Sequence, residues 1–245
     1  MALEFAHGGI EWMTANTVNT TFTISGLSFQ PKALRFYWVG LQSSTDAVSE
    51  TVNSRRGVGF AANTSSRRAV GSFSQDTAIT SNAGTVARND AVVVTTDGAG
   101  ATDGLLDLNS ITSDGFTLIV DDVTPANITV FWEAWGGSDI TNVTVGDITE
   151  SGATGNVAYS AIGFIAGATD QVVMMAGVQS VAAINTASAE ASGMYVGFAA
   201  GTTTADNIVV GGSADDASTT MDTDGWGRAG DINSMVILAG AATLT

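Results

Sequence analysis

"GVGFAANTSS" at 57–66 returns as "YVGFAAGTTT" at 195–204, so one chain carries nearly the same ten residues twice. The likeness continues outward from this decamer in chain order. Upstream, "SGLSFQPKALRFYWVGLQSS" (25–44) lines up with "SAIGFIAGATDQVVMMAGVQSV" (160–181), Phe29 meeting Phe164 and Gly40-Leu41-Gln42-Ser43 meeting Gly177-Val178-Gln179-Ser180. Downstream, "AVGSFSQDTA" (69–78) meets "VVGGSADDAS" (209–218), and "ARNDAVVV" (87–94) meets "AGDINSMVIL" (229–238). The offset drifts by only a few residues throughout, and chance does not hold register over such a length. The pattern is a tandem duplication. A period of about 138 residues (195 − 57) is far too long for a solenoid repeat and means two homologous domains, 1–137 and 138–245.

The second copy is the shorter. Thr245 corresponds to roughly residue 104 of the first, which goes on through "GFTLIVDD" and "NITVFWEAWGG", two strand-like runs joined by a turn at Thr124-Pro125. Without that last hairpin, two core strands of the second copy have open edges, which proteins avoid. Either the sequence shown stops inside the repeat, or another chain supplies the strands by β-augmentation.

Composition places both copies in the all-β class. Gly, Ala, Thr, Ser and Val dominate, Asp outnumbers Glu 18 to 6, and there is one Lys. Val, Thr, Gly and Asp favour strands and turns over exposed helix. Strand-like runs recur every 8–15 residues: "NTTFTIS", "ALRFYWVG", "GVGFAA", "RRAVGSFS", "DAVVVTT", "FTLIVDD" and "NITVFWEAW". Continuous apolar stretches such as "AVVV" predict strands covered on both faces. "VQSVAAINTASAEASG" (178–193) is the one weak helix candidate, and its counterpart 41–56 is polar. The expected architecture is two tandem β-sandwiches of jelly-roll-like type.

The net charge of −16 argues against general nucleic-acid binding, which needs basic surface. Scarce Lys and abundant Asp suit a halophilic host or a GC-rich genome equally. There is no cysteine, hence neither a disulfide nor a thiolate metal site. "MALEFAHGGIEW" lacks the basic and apolar regions of a signal peptide, and the apolar 157–185 is interrupted by Asp170, so no membrane span is expected.

Few residues suggest chemistry. His7 is the sole histidine and sits near an end expected to fray, so nucleophilic triads have no base. Asp121-Asp122 and Asp215-Asp216 are carboxylate pairs of the kind a glycosidase uses, but acidic surface loops are the commoner origin of such pairs. "DTDGWGRAGD" (222–231) offers Asp222, Asp224 and Asp231 as hard oxygen ligands, and "DGAGATDGLLD" (97–107) is similar. No cofactor is expected, and Ca2+ is the ion such loops would take. The competing reading is Asp-Gly turns between strands.

Charge is distributed more informatively. Residues 1–137 carry 7 basic and 13 acidic residues, net −6, whereas 138–245 carry 1 and 11, net −10. Two arginine pairs bracket the first decamer: Arg55, Arg56, Arg67 and Arg68 in "SRRGVGFAANTSSRRAV". Folded as a hairpin, this stretch gathers four guanidinium groups, and the second copy keeps the hairpin without them. The expectation is a docking patch for an acidic protein surface, against the simpler reading of surface arginines paired to local carboxylates.

The stretches "GLSFQPKALRFYWVG", "SRRGVGFA", "DGLLDLNSITSDGFTLIVDD" and "VFWEAWGG" resemble segments of virion structural proteins of tailed bacterial or archaeal viruses. Such proteins are often cysteine-free, β-rich and duplicated. The resemblance implies a non-enzymatic capsid decoration (cement) or tail protein of the virion, assembled in the host cytoplasm. It implies homo-oligomers and other virion proteins as partners, without nucleic acid or membrane. The alternative is a carbohydrate-binding adhesin or receptor-binding tail protein. Of the five tryptophans, Trp38, Trp132 and Trp135 lie in strand-like runs and are expected in the core. That leaves Trp12 and Trp226, of which Trp226, in a Gly-rich loop, is the best exposed stacking platform for a sugar.

Overall fold

Side chains alternate across a strand, so each apolar/polar alternation names one buried face. In "ALRFYWV", Leu34, Phe36 and Trp38 are buried, while Ala33, Arg35, Tyr37 and Val39 face the other way and are half-buried. The same rule shapes the described residues, whose regular structure is all-β. The computed structural model describes residues 3–40, 53–75, 82–147, 157–160, 172–178, 183–189, 191–200, 205–214, 222–229, 236–238 and 241–244.

In chain order the strands of the first half are β1 (Leu3–Trp12), β2 (Thr21–Ile24), β3 (Ala33–Val39), β4 (Asn53–Asn63) and β5 (Ser66–Gln75). They continue with β6 (Asn82–Arg88), β7 (Val93–Thr96), β8 (Thr102–Thr112), β9 (Gly115–Asp122) and β10 (Ile128–Gly137). The second half supplies β11 (Val157–Ser160), β12 (Val172–Val178), β13 (Thr186–Ala189) and β14 (Ala191–Ala200). It ends with β15 (Ala205–Ala214), β16 (Asp222–Ala229), β17 (Val236–Leu238) and β18 (Ala241–Leu244). The weak helix candidate at 178–193 contains β13 and the start of β14 instead.

Two open antiparallel sheets face each other in the first half. One has the order β1-β10-β3-β4-β5-β6-β13, the other β2-β9-β8-β7. Between them lies a single core that includes Trp12, Phe36, Trp38, Leu106, Phe116, Leu118, Val130 and Trp132. Phe116 meets Phe36 and Trp132 edge-on, at centroid distances of 6.0 and 5.3 Å. Each of these large side chains contributes on the order of 2 kcal/mol by leaving water. Ala91, Val92, Val93 and Val94 are all fully buried, as the unbroken "AVVV" predicts. The indole of Trp38 lies over Gly57, its cross-strand partner, and that of Trp132 over Gly8, where a Cβ would collide with the ring.

The expected closing hairpin is not a hairpin. β9 pairs with β2 and β8, whereas β10 pairs with β1 and β3, so the Thr124-Pro125 connection carries the chain from one layer to the other. Local sequence shows a turn there; which sheet each strand joins depends on partners far along the chain.

The second half repeats one strand order. β12-β14-β15-β16 form an antiparallel sheet ordered as β3-β4-β5-β6 are. Register aligns Arg88, opposite Ala69, with Arg228, opposite Ile208. It therefore sets Ala87 against Gly227 rather than Ala229, because pairing and not residue likeness fixes the alignment. The fourth sheet, β11-β18-β17, pairs β11 directly with β18. One strand crosses between halves: β13 adds to the outer edge of β6. β12 and β14 also lie against β5 and β6.

Candidate functional site

The outer face of β1, β10 and β3, turned away from the core, collects the most unusual side chains of the first half. Register places them in rows: Phe5–Trp135–Ala33, His7–Glu133–Arg35, Gly9–Phe131–Tyr37 and Glu11–Thr129–Val39. Phe5 and Phe131 are each about half exposed, at 50% and 48%, and Leu3 reaches 60%. Large apolar side chains left this open on one strip of a sheet are a feature that contact surfaces share.

The charged row is tied into the aromatic ones. Arg35 Nε donates to Glu133 Oε2 at 2.6 Å, and the Tyr37 hydroxyl donates to the same oxygen at 3.4 Å. The Arg35 guanidinium sits 4.7 Å from the Tyr37 ring centre and 5.3 Å from that of Trp135. Phe5 packs on Trp135 at 5.6 Å and on the His7 imidazole at 5.9 Å. Burial, with the Glu133 charge beside it and against the pull of Arg35, pushes the Tyr37 phenol up to about 12. Arg35 Nη1 also donates to Met174 Sδ on β12 at 3.1 Å, so one end of the strip touches the second half. Such a face offers rings for stacking and a guanidinium–carboxylate pair for hydrogen bonding.

Two expectations are corrected here. Trp135 is not a core residue: it is half-buried on the outer face, three positions from the inward Trp132, and an odd step in a strand changes face. Nor is His7 in a frayed end, since it lies mid-strand in β1 opposite Glu133. Trp12 is fully buried and unavailable for stacking.

The arginine hairpin forms, but it does not gather its four guanidinium groups. Arg55 and Arg67 point inward, Arg56 and Arg68 outward, because neighbours in a strand face opposite ways. Arg55 pairs with Asp103 at 3.0 Å and sits over the Phe73 ring at 4.7 Å. Arg67 holds Asp107 through Nε and, at 2.7 Å, through Nη2. Both carboxylates belong to β8, so these two arginines clamp the facing sheets together. Asp107 is nearly buried, and burial raises its carboxyl above the usual value although Arg67 pulls it down. On the outside, Arg56 donates to Ser72 Oγ at 3.3 Å and Arg68 pairs with Asp147.

The 97–107 stretch is a turn and the start of β8. Asp97 accepts from the Ala101 N–H through Oδ1 at 2.8 Å, and Asp103 and Asp107 are held by Arg55 and Arg67. Among the described residues no three His, Cys, Asp or Glu side chains come together to hold a metal. Asp121 and Asp122 are exposed on opposite faces at the end of β9, while Asp215 and Asp216 lie outside the described residues. Asp222, Asp224 and Trp226 belong to strand β16, not to a loop; their side chains, and Asp231 altogether, lie outside what the structure describes.

No family model matches the chain, and neither does a curated protein or a solved structure.

Proposed function

We propose that the chain is a non-enzymatic virion structural protein, a capsid decoration or tail component of a tailed virus, working through protein–protein contacts. In this reading two homologous jelly-roll-like sandwiches, 1–137 and 138–245, hold neighbouring virion proteins, and the effective concentration set by one contact strengthens the other. The observation that carries it is the open strip of Leu3, Phe5 and Phe131 beside the Arg35–Glu133 row on the outer face of the large sheet. The four arginines contribute less than the sequence suggests, since two of them clamp the core. The reading is tested by mass spectrometry of purified particles of a virus encoding the chain. Many copies per particle are expected, lost on Phe5→Ser/Phe131→Ser; a chain absent from particles sinks it.

The adhesin reading moves to a new place. Phe5 and Trp135, packed at a tilt beside Arg35 and Glu133, form the platform for a sugar ring in place of Trp226. A glycan array with Trp135→Ala as control decides it: binding that disappears in the variant favours the adhesin, and silence across the array removes it.

A further inference from the structure

We propose that two copies of the chain pair through the outer edges of β1, antiparallel about a two-fold axis at His7, making one continuous sheet. The proposal deepens the contact reading of the outer face and rests on it, but it needs no virus.

The two edges of the large sheet are treated differently. At one edge β6 is covered by β13. At the other, β1 pairs with β10 alone among the described strands. Natural edge strands are usually blunted by proline, by charged side chains (lysine above all), by bulges or by shortness. β1 is ten residues long and contains no Pro, Lys or Arg, and its two carboxylates, Glu4 and Glu11, lie towards its ends. It also carries Leu3 and Phe5, two of the most exposed large apolar side chains of the first half. A second copy is the one occupant whose edge has the same length and whose outer face continues the same aromatic strip.

The register follows from the residues. In an antiparallel pair, opposite residues share a face, so a two-fold axis perpendicular to the sheet requires residue numbers that sum to an even value. A sum of 14 pairs all of Leu3–Glu11. It sets Phe5 of one copy against Gly9 of the other, His7 against His7, Leu3 against Glu11 and Glu4 against Ile10. No carboxylate then faces a carboxylate. Phe5 lands over a glycine, the ring-over-glycine arrangement that Trp38 and Trp132 already make inside the chain. Gly9 is exposed on the outer face, and Phe131 is its partner on β10, so each Phe5 also meets the other copy's Phe131. Shifting the sum to 16 sets Phe5 against Glu11 instead, and to 12 leaves Ile10, Glu11 and Trp12 beyond the pairing.

The absence of native cysteine makes the test clean, because any disulfide must join two copies. Single variants Leu3→Cys, Phe5→Cys, His7→Cys, Gly9→Cys and Glu11→Cys of the full chain are mildly oxidised and run on a non-reducing gel. Only the residue on the axis faces itself, so His7→Cys is expected to cross-link and the other four to remain monomers. In parallel, sedimentation velocity of the unmodified chain is expected to show a dimer, weakened at least about tenfold by Phe5→Lys, which puts charge on the edge and removes the ring. Circular dichroism checks that Phe5→Lys stays folded. A monomer at every concentration with no cross-link at any position overturns the pairing, as does a dimer that cross-links best elsewhere or not at all. A chain abundant in particles yet monomeric and uncross-linked overturns this pairing and leaves the virion reading standing.

Discussion

The hairpins β4–β5 and β14–β15 carry nearly the same ten-residue stretch, yet they solve one packing problem in mirror fashion. In the first, the ring is Trp38 on β3 and the space is Gly57 on β4. In the second, the equivalent positions are Gly177 on β12 and Tyr195 on β14, and the Tyr195 ring lies over the glycine. The site needs one ring and one gap across a strand pair, and does not care which strand provides which. The arginines behave otherwise. By register, the two clamping arginines, Arg55 and Arg67, correspond to Gly193 and Asp206, so the clamp to β8 has no arginine counterpart in the second hairpin.

The equivalence of the two sites can be broken directly. Trp38→Gly should cost about 3–5 kcal/mol through the cavity it leaves, and Gly57→Tyr about 1–3 kcal/mol through overpacking. The double variant copies the second hairpin into the first and should recover about 1–2 kcal/mol relative to the sum of the singles. Urea denaturation of the four proteins measures this; strict additivity would end the comparison.

A smaller effect separates the inward arginines from the outward ones. Arg67→Met strands the Asp107 carboxylate between the sheets and should cost about 2 kcal/mol. Arg68→Met removes a partly solvated pair with Asp147 and should cost under about 0.5 kcal/mol. Equal losses in thermal denaturation would mean that facing inward or outward makes no difference.

A third effect appears only in alkali. The folded Tyr37 phenol keeps its proton to about pH 12, whereas in the unfolded chain it ionises near the ordinary 10.0. The folded state therefore binds more protons across that interval, and stability should fall as the pH rises through it. Tyr37→Phe should flatten the decline in denaturation curves taken at successive pH values.

Much of this was readable in advance. Alternation in "TFTIS" and "FTLIV" marks β2 and β9, the unbroken apolar run "AVVV" marks β7, and β3 and β10 stand out as strand-like runs. The same rule, carried one step further, would have placed Trp135 opposite Trp132 and parted Arg55 from Arg56, since both conclusions need only the two-residue period of a strand. β1 was harder. Gly8 and Gly9 interrupt its apolar pattern, and its strand character comes from β10, more than a hundred residues away. β8 was hidden by its Asp-Gly opening and by Asp107, an inward carboxylate that makes sense only beside Arg67. The exposed strip needed the register of three strands to become visible at all.

Covering β6 with β13 has a consequence for synthesis. The strand that finishes the first large sheet begins at Thr186, some fifty residues after β10 ends at Gly137. Asn185 and Asn89 fasten the junction with a 2.9 Å bond from the Asn89 N–H and a 2.8 Å bond between their side chains. On the ribosome, the first sandwich can therefore collapse around Phe116 and Trp132 while one of its edges waits bare. At the usual ~5–20 residues per second, that edge is open for several seconds before its own chain arrives to cover it.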